Sequence, residues 1–189
     1  MPSVATALRR LGVEATTTNQ ATELARADRI ILPGVGHCAA LIHALDAQGI
    51  RKPLADAIAR GTPFLGICLG LQALYEASDE APDLAGLGIF KGNVAHLPAN
   101  VKLPHMGWNQ LRPVRPSMLL RSIACESHFY FAHTFAAPGA GSESVAVCHH
   151  GREFTAVLEC RNIFGVQFHP EKSGAPGAKL LENFLRQAA

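Results

Sequence analysis

Three side chains in this sequence have the types and spacing to carry out nucleophilic chemistry: a lone thiol at Cys68, an imidazole at His169 and a carboxylate at Glu171. Cys68 lies in the run Phe64-Leu65-Gly66-Ile67-Cys68-Leu69-Gly70-Leu71-Gln72, apolar up to Leu71 and broken by glycine on either side of the sulfur. Residues 63–67 are short and apolar enough for a buried parallel strand, and 69–77 continue with apolar residues at helical spacing. The turn between them falls on Cys68, which is the strand-turn-helix elbow that lifts a nucleophile to the top of a sheet. Gly66 and Gly70 remove side chains where the chain reverses, leaving room beside the sulfur for a substrate carbonyl. At the head of a helix the thiol also meets free amides and the positive end of the dipole. Both favour the thiolate of a group that titrates near pH ~8.5 in isolation. Taken alone, the same pattern fits a small hydrophobe packed at a strand end.

A base separates the two readings. Residues 163–168 form a second apolar run, and it ends in His169-Pro170-Glu171. Residues two apart in an extended segment point the same way, and Pro170 stiffens the link. Glu171 can therefore hold one ring nitrogen while the other faces Cys68, fixing tautomer and orientation. A third run, Ile30-Ile31-Leu32-Pro33-Gly34-Val35-Gly36, reads as a strand entering a glycine-rich turn before a helix over 38–48. Acyl transfer needs two donors aimed at a developing oxyanion. The Leu69 amide supplies one, and an amide in the Val35-Gly36 turn supplies the other. Gln72, four residues beyond Cys68 on the same helical face, places an amide where it can read polar groups of a substrate, or else is a surface glutamine. No phosphate loop or dinucleotide fingerprint is present, so nucleotide chemistry has no motif here.

The elements that would position these groups alternate as in doubly wound folds: helix 3–11, strand 13–18, strand 29–32, helix 38–48, helix 53–60 capped by Gly61, strand 63–67 and helix 69–77. Pro2 suits the first turn of the first helix and Gly12 its C-terminal cap. After Gly92 the pattern turns β-rich, with segments 93–97, 108–112, 128–135, 144–149, 153–159 and 163–168 joined by short turns. A helix over 176–187 closes the chain, with Leu180, Leu181, Phe184 and Leu185 as its buried face.

The motifs Pro-Gly-Val-Gly, Gly-Ile-Cys-Leu-Gly-x-Gln and Gln-Phe-His-Pro-Glu-Lys-Ser, in that order, resemble those of class I glutamine amidotransferases. Pro104-His105-Met106-Gly107-Trp108-Asn109, the run 129–135 and Glu171-Lys172-Ser173 narrow the resemblance to the HisH family, the glutaminase subunits of imidazole glycerol phosphate synthase. It covers nearly the whole chain. The fold it implies is α/β, a flavodoxin-like mixed sheet flanked by helices, in one glutaminase domain over 1–189. The chemistry it implies is attack of Cys68 on the carboxamide of glutamine, a thioester, ammonia protonated on departure by His169, and hydrolysis to glutamate. The resemblance implies that the backbone of His133, Thr134 and Phe135 holds the amino-acid end of glutamine. It also implies a separate HisF-type cyclase as partner in a heterodimer, converting PRFAR to imidazole glycerol phosphate and AICAR in histidine biosynthesis. Trp108, Asn109, Tyr130 and Lys172 are the candidates for the docking face. Trp108, the single tryptophan, reads as an interface anchor or as core; Lys172 reads as a docking charge or a solvated one.

Two other readings stay open: a glutaminase serving a different synthase, such as that of pyridoxal phosphate, and a docking subunit without activity. The second is kept by one departure. Family members open with a strand upstream of the first helix, whereas here residues 3–11 already read as that helix. Either an in-frame extension upstream supplies the strand, or the chain is a shortened form, and an unpaired central strand would leave it unstable.

Composition agrees with one enzyme domain. The 189 residues are 48% hydrophobic and 17% charged, with a net charge of +2. No basic stripe with interleaved aromatics suggests nucleic-acid binding, and no apolar stretch reaches the ~20 residues needed to cross a bilayer. Lacking the regions of a signal peptide, the chain is expected in the cytosol. Five cysteines without a Cys-x-x-Cys pair argue against a disulfide framework or a zinc site. Cys148-His149-His150 has metal-ligating types but reads better as a polar strand end near a turn. No cofactor is implied.

Overall fold

A computed structural model describes residues 3–139 and 141–187 of the chain. Three parallel strands form one side of its main sheet: β1 (Ile30–Gly34), β2 (Phe64–Cys68) and β11 (Ile163–Val166). Every residue of β2 and β11 is buried, because alternate side chains feed cores on opposite faces of the sheet. Leu65, Ile67, Phe164 and Val166 point into one core with Phe129, Phe131, Phe154, Phe168 and Phe184. Phe64 and Ile163 join the other with Leu71, Leu74 and Tyr75. The apolar runs around the candidate site are thus continuous because both faces are covered.

The sheet then turns antiparallel. β11 pairs with β10 (Arg152–Cys160), β10 with β9 (Ser144–His150), and β9 with β6 (Arg112–Pro113), giving the order β1-β2-β11-β10-β9-β6. A hairpin pairs β5 (His105–Gln110) with β7 (His128–His133), and a small sheet joins β3 (Tyr75–Ser78), β4 (Phe90–His96) and β8 (Phe135–Ala136). Helices α1 (Val4–Arg10), α2 (Ala21–Leu24), α3 (Cys38–Ala47), α4 (Arg51–Ala59), α5 (Leu69–Gln72) and α6 (Gly174–Leu185) complete the described elements, with a 3-10 turn at Pro170–Lys172.

Several expectations need correction. Residues 13–18 form no strand: Val13 is half-buried, the threonines after it are mostly exposed, and no neighbouring strand accepts their ladder bonds. Among the described residues β1 accordingly ends the sheet, paired only with β2. The helix expected over 69–77 stops after one turn, and Tyr75–Ser78 is instead drawn into a parallel ladder with β4. α4 begins at Arg51, two residues before the expected start, with Ile50 as its N-cap. The last strand ends at Val166, the last helix runs from Gly174 to Leu185, and Leu185 is only half-buried. The first helix holds, its Ser3 Oγ accepting from the Thr6 amide at 3.3 Å and Gly12 following at φ +79°. Pro2 lies outside the described residues.

Candidate active site

The elbow is built by close backbone packing. Cys68 has φ 53° and ψ −107°, a conformation that costs a side-chain-bearing residue about 1–3 kcal/mol and persists only where the surroundings impose it. The two glycines impose it by allowing α5 to lie on the strands. A Cβ on Gly70 would stand 1.9 Å from the Leu32 carbonyl oxygen, and one on Gly66 would stand 2.5 Å from the Gly70 oxygen. Their role is thus this approach of turn to sheet, more than room for a substrate. With a single helical turn after Cys68, the dipole expected from a longer helix contributes little.

The Val35-Gly36 turn meets the same place. Gly34 pairs with Cys68 across the β1–β2 ladder, and a Cβ there would be 2.6 Å from Leu69 Cβ. Val35, 78% exposed, and Gly36, at φ +100°, follow directly. The turn thus begins beside Cys68 and Leu69, at Gly34.

His169 arrives at the end of β11. Its Nδ1 is 2.9 Å from Glu171 Oε1, and the two side chains are only 3% and 7% exposed. Burial disfavours the imidazolium, but hydrogen bonds to Cys68 and Glu171 and the charges of both outweigh it, and the ring is pushed up to about 9. His169 therefore carries a proton at neutral pH. Glu171 Oε2 is buried without a partner, so the carboxylate directs one oxygen at the ring. The backbone holds this arrangement from three sides. His169 N–H donates to the Tyr130 carbonyl at 2.8 Å, Ser173 Oγ donates to the His169 carbonyl at 2.6 Å, and the Tyr130 amide donates to Ser173 Oγ at 3.0 Å. Gly177 lets α6 rest on the 3-10 turn, since a Cβ there would meet the Pro170 oxygen at 2.0 Å.

Gln72 is buried, which removes the surface-glutamine reading. Its Nε2 donates to the Phe135 carbonyl at 2.8 Å and to Gln167 Oε1 at 3.1 Å. The Phe135 carbonyl also faces His133 Nδ1 at 2.8 Å, and the Thr134 carbonyl accepts from the Leu97 amide at 2.9 Å. Of the segment expected to hold a substrate, the Thr134 and Phe135 carbonyls are therefore engaged within the fold, and both of Phe135's lone pairs are used. Trp108 and Tyr130 pair across β5 and β7 with ring centroids 5.9 Å apart, and Lys172 Nζ lies 5.8 Å from the Tyr130 centroid. Trp108 is 56% exposed, which decides against a core tryptophan. Asn109 turns instead toward His105 and the His149 carbonyl. His150 stacks on His105 at 4.1 Å and its Nε2 donates to the Lys102 carbonyl.

Two groups escaped the sequence reading. Gln167 is fully buried, and its Nε2 lies 3.6 Å from Cys68 Sγ. The signal was a lone polar residue interrupting the apolar run 163–168 just before His169. His105 is also buried, its Nδ1 3.0 Å from His133 Nε2. Nothing in its local sequence marked that contact, because it forms only when β5 pairs with β7.

A glycine-braced thiol, a charged imidazole backed by a buried carboxylate, and a glycine-rich turn level with the sulfur define a class of thiol acyl-transfer sites. The family model "Glutamine amidotransferase class-I" matches residues 2–188, and the chain belongs to that family. Among curated relatives, it is 46% identical over 188 residues to the imidazole glycerol phosphate synthase subunit HisH of Xanthomonas campestris, covering 98% of this chain and 92% of the relative. It is 43% identical over 183 residues to the HisH subunit of Moorella thermoacetica, covering 96% and 87%. A crystal structure of a glutamine amidotransferase shares the fold with a TM-score of 0.74 at 20% identity, over 95% of this chain and 88% of that one. The glutaminase domain of Trypanosoma brucei CTPS, solved with bound acivicin, shares it at 0.64 and 16% identity, over 97% and 85%.

Proposed function

We propose that this chain is the glutaminase subunit of an imidazole glycerol phosphate synthase, with Cys68, His169 and Glu171 as its reacting groups. The observation that carries the assignment of groups is the buried His169 ring held at 2.9 Å by the Glu171 carboxylate, with the strained Cys68 among the groups that favour its imidazolium. A charged His169 beside the sulfur stabilises the thiolate, which attacks the carboxamide carbon of glutamine. The Leu69 amide and the Val35-Gly36 turn receive the oxyanion. As the tetrahedral intermediate collapses, the imidazolium gives its proton to the departing ammonia and the acyl group remains on sulfur as a thioester. The now neutral imidazole takes a proton from water, hydroxide attacks the thioester, and glutamate leaves as thiolate and imidazolium are restored. Gln72 offers the substrate its side-chain oxygen, since its amino group is engaged within the fold.

Ammonia needs an acceptor site, and the partner proposed is a HisF-type cyclase. The exposed face of Trp108, Tyr130 and Lys172, with Met106 65% exposed beside it, has the aromatic, methionine and cationic make-up of a docking surface. It lies one backbone hydrogen bond from His169, through the Tyr130 carbonyl. No described helix is long and apolar enough to cross a membrane, and a cytosolic setting is proposed.

The test is glutamate release measured with and without cyclase and its ligand. Activity should rise on adding the cyclase and fall at least ~10⁴-fold in Cys68→Ala. Undiminished turnover in that variant would remove the nucleophile from the assignment, and a complex that forms without any turnover would replace the glutaminase by a docking subunit.

A further inference from the structure

The continuation of β11 brings a buried amide to the sulfur. Val166 pairs with Ile67 across the parallel ladder, so Gln167 comes level with Cys68 in the neighbouring strand. Its Nε2 donates to Cys68 Sγ at 3.6 Å, while its Oε1 accepts from Gln72 Nε2. The orientation of that amide follows from the chain of partners behind it. Phe135's carbonyl can only accept, so both Gln72 Nε2 and His133 Nδ1 carry hydrogens toward it. His133 Nε2 is then the acceptor of a hydrogen from His105 Nδ1, and His105 Nε2 accepts from the Asn109 amide. Every member is buried or half-buried, and the direction of each bond is fixed by its neighbour. If Gln72 were turned over, its carbonyl would face two acceptors. If Gln167 were turned over, it would point a carbonyl at the sulfur and present its amino group to Gln72's.

We propose that Gln167 is a positioning residue for the nucleophile, its side-chain amide donating to Cys68 Sγ and held in that orientation by Gln72, whose own amide is turned by the Phe135 carbonyl. The inference rests on Cys68 being the nucleophile, and it adds a buried donor to the sulfur. A donor there favours thiolate over thiol and fixes the sulfur's direction. The titratable groups linked to Cys68 are His169 and, behind it, Glu171; Gln167 and Gln72 are neutral. A change at Gln167 is therefore read without adding a second titration, except where the variant itself introduces one.

The experiment compares the parent with Gln167→Met, which keeps volume and removes the donor, and Gln167→Glu, which keeps shape and the acceptor toward Gln72. Iodoacetamide modification of Cys68 is followed against pH by mass spectrometry of its peptide, since Cys125 is exposed as well. Steady-state glutaminase kinetics are measured on the same proteins. The alkylation midpoint should rise by about one pH unit in Gln167→Met and further in Gln167→Glu, with kcat lowered about tenfold and KM within about twofold. An unmoved midpoint in both variants overturns the proposal, whether kcat is preserved or lost. Should Gln167→Met not fold, the isosteric Gln167→Glu decides by the same midpoint. Cys68→Ala is the separating arm. If it retains turnover, the nucleophile assignment itself fails, whereas its loss of turnover with unmoved Gln167 profiles removes only the present inference.

Discussion

Two sets of buried histidines in this fold differ in protonation for one reason. His169 is nearly inaccessible, yet a carboxylate 2.9 Å away and the Cys68 sulfur keep it protonated, up to about 9. His105 and His133 are just as inaccessible and face no carboxylate. Burial and the neighbouring imidazoles push them down from 6.5 to about 4 and about 3, against a raising contribution at His133 from the Phe135 carbonyl. Desolvation acts against charge in all three rings, and only a fixed opposite charge reverses it. His169 therefore favours its protonated form, and the other two are hydrogen-bond conductors whose neutral tautomers hold direction.

The largest break in that contrast comes from Glu171→Gln, which preserves shape but removes the charge. His169 should fall from about 9 toward its ordinary range, and turnover should drop on the order of 10³-fold with little change in KM, as measured by NMR titration and steady-state kinetics. A variant that kept both the high value and the rate would mean the sulfur alone sustains the imidazolium.

Stability against pH should separate the two sets next, with limbs of opposite sign. His169 binds its proton more tightly folded than unfolded. Its contribution is complete below about pH 6.5 and is lost as pH rises through about 9. His105 and His133 bind protons less tightly folded. Their contribution is complete above about 6.5 and is lost as pH falls through about 4 and about 3. Urea unfolding across this range should show the acid limb shrink in His105→Phe and the alkaline limb shrink in His169→Phe. An acid limb identical in His105→Phe and parent would assign it to carboxylates instead.

Asn109→Ala should have the smallest effect. It removes the long, 3.4 Å contact at the outer end of the chain while leaving the His105–His133 bond in place. A fall in stability within about 1 kcal/mol and an unchanged glutaminase rate without cyclase are expected. A tenfold loss of basal rate would show that the outer end of the network governs Cys68.

The candidate groups were legible where chemistry sits at the end of a short apolar run. Gly-x-Cys-x-Gly and His-Pro-Glu each announce themselves locally, since glycine permits a close turn and proline holds two polar residues to one side. The expected strand at 13–18 and the helix at 69–77 failed for a non-local reason. A strand exists only where a neighbour takes its ladder, and Tyr75 found one in β4 whereas Val13 did not. Gln72 reads from sequence as surface or site, and its burial depends on the Phe135 carbonyl 63 residues away.

The sequence by itself determined the candidate groups, their order and the apolar runs that present them, because those depend on spacing within a few residues. Only the tertiary structure decided that Gln167 faces the sulfur, that His105 meets His133, and that one buried histidine is charged while two are neutral. Those outcomes depend on strand register and on which charge lies within a few ångströms in a low-dielectric interior, and neither is written in any one segment.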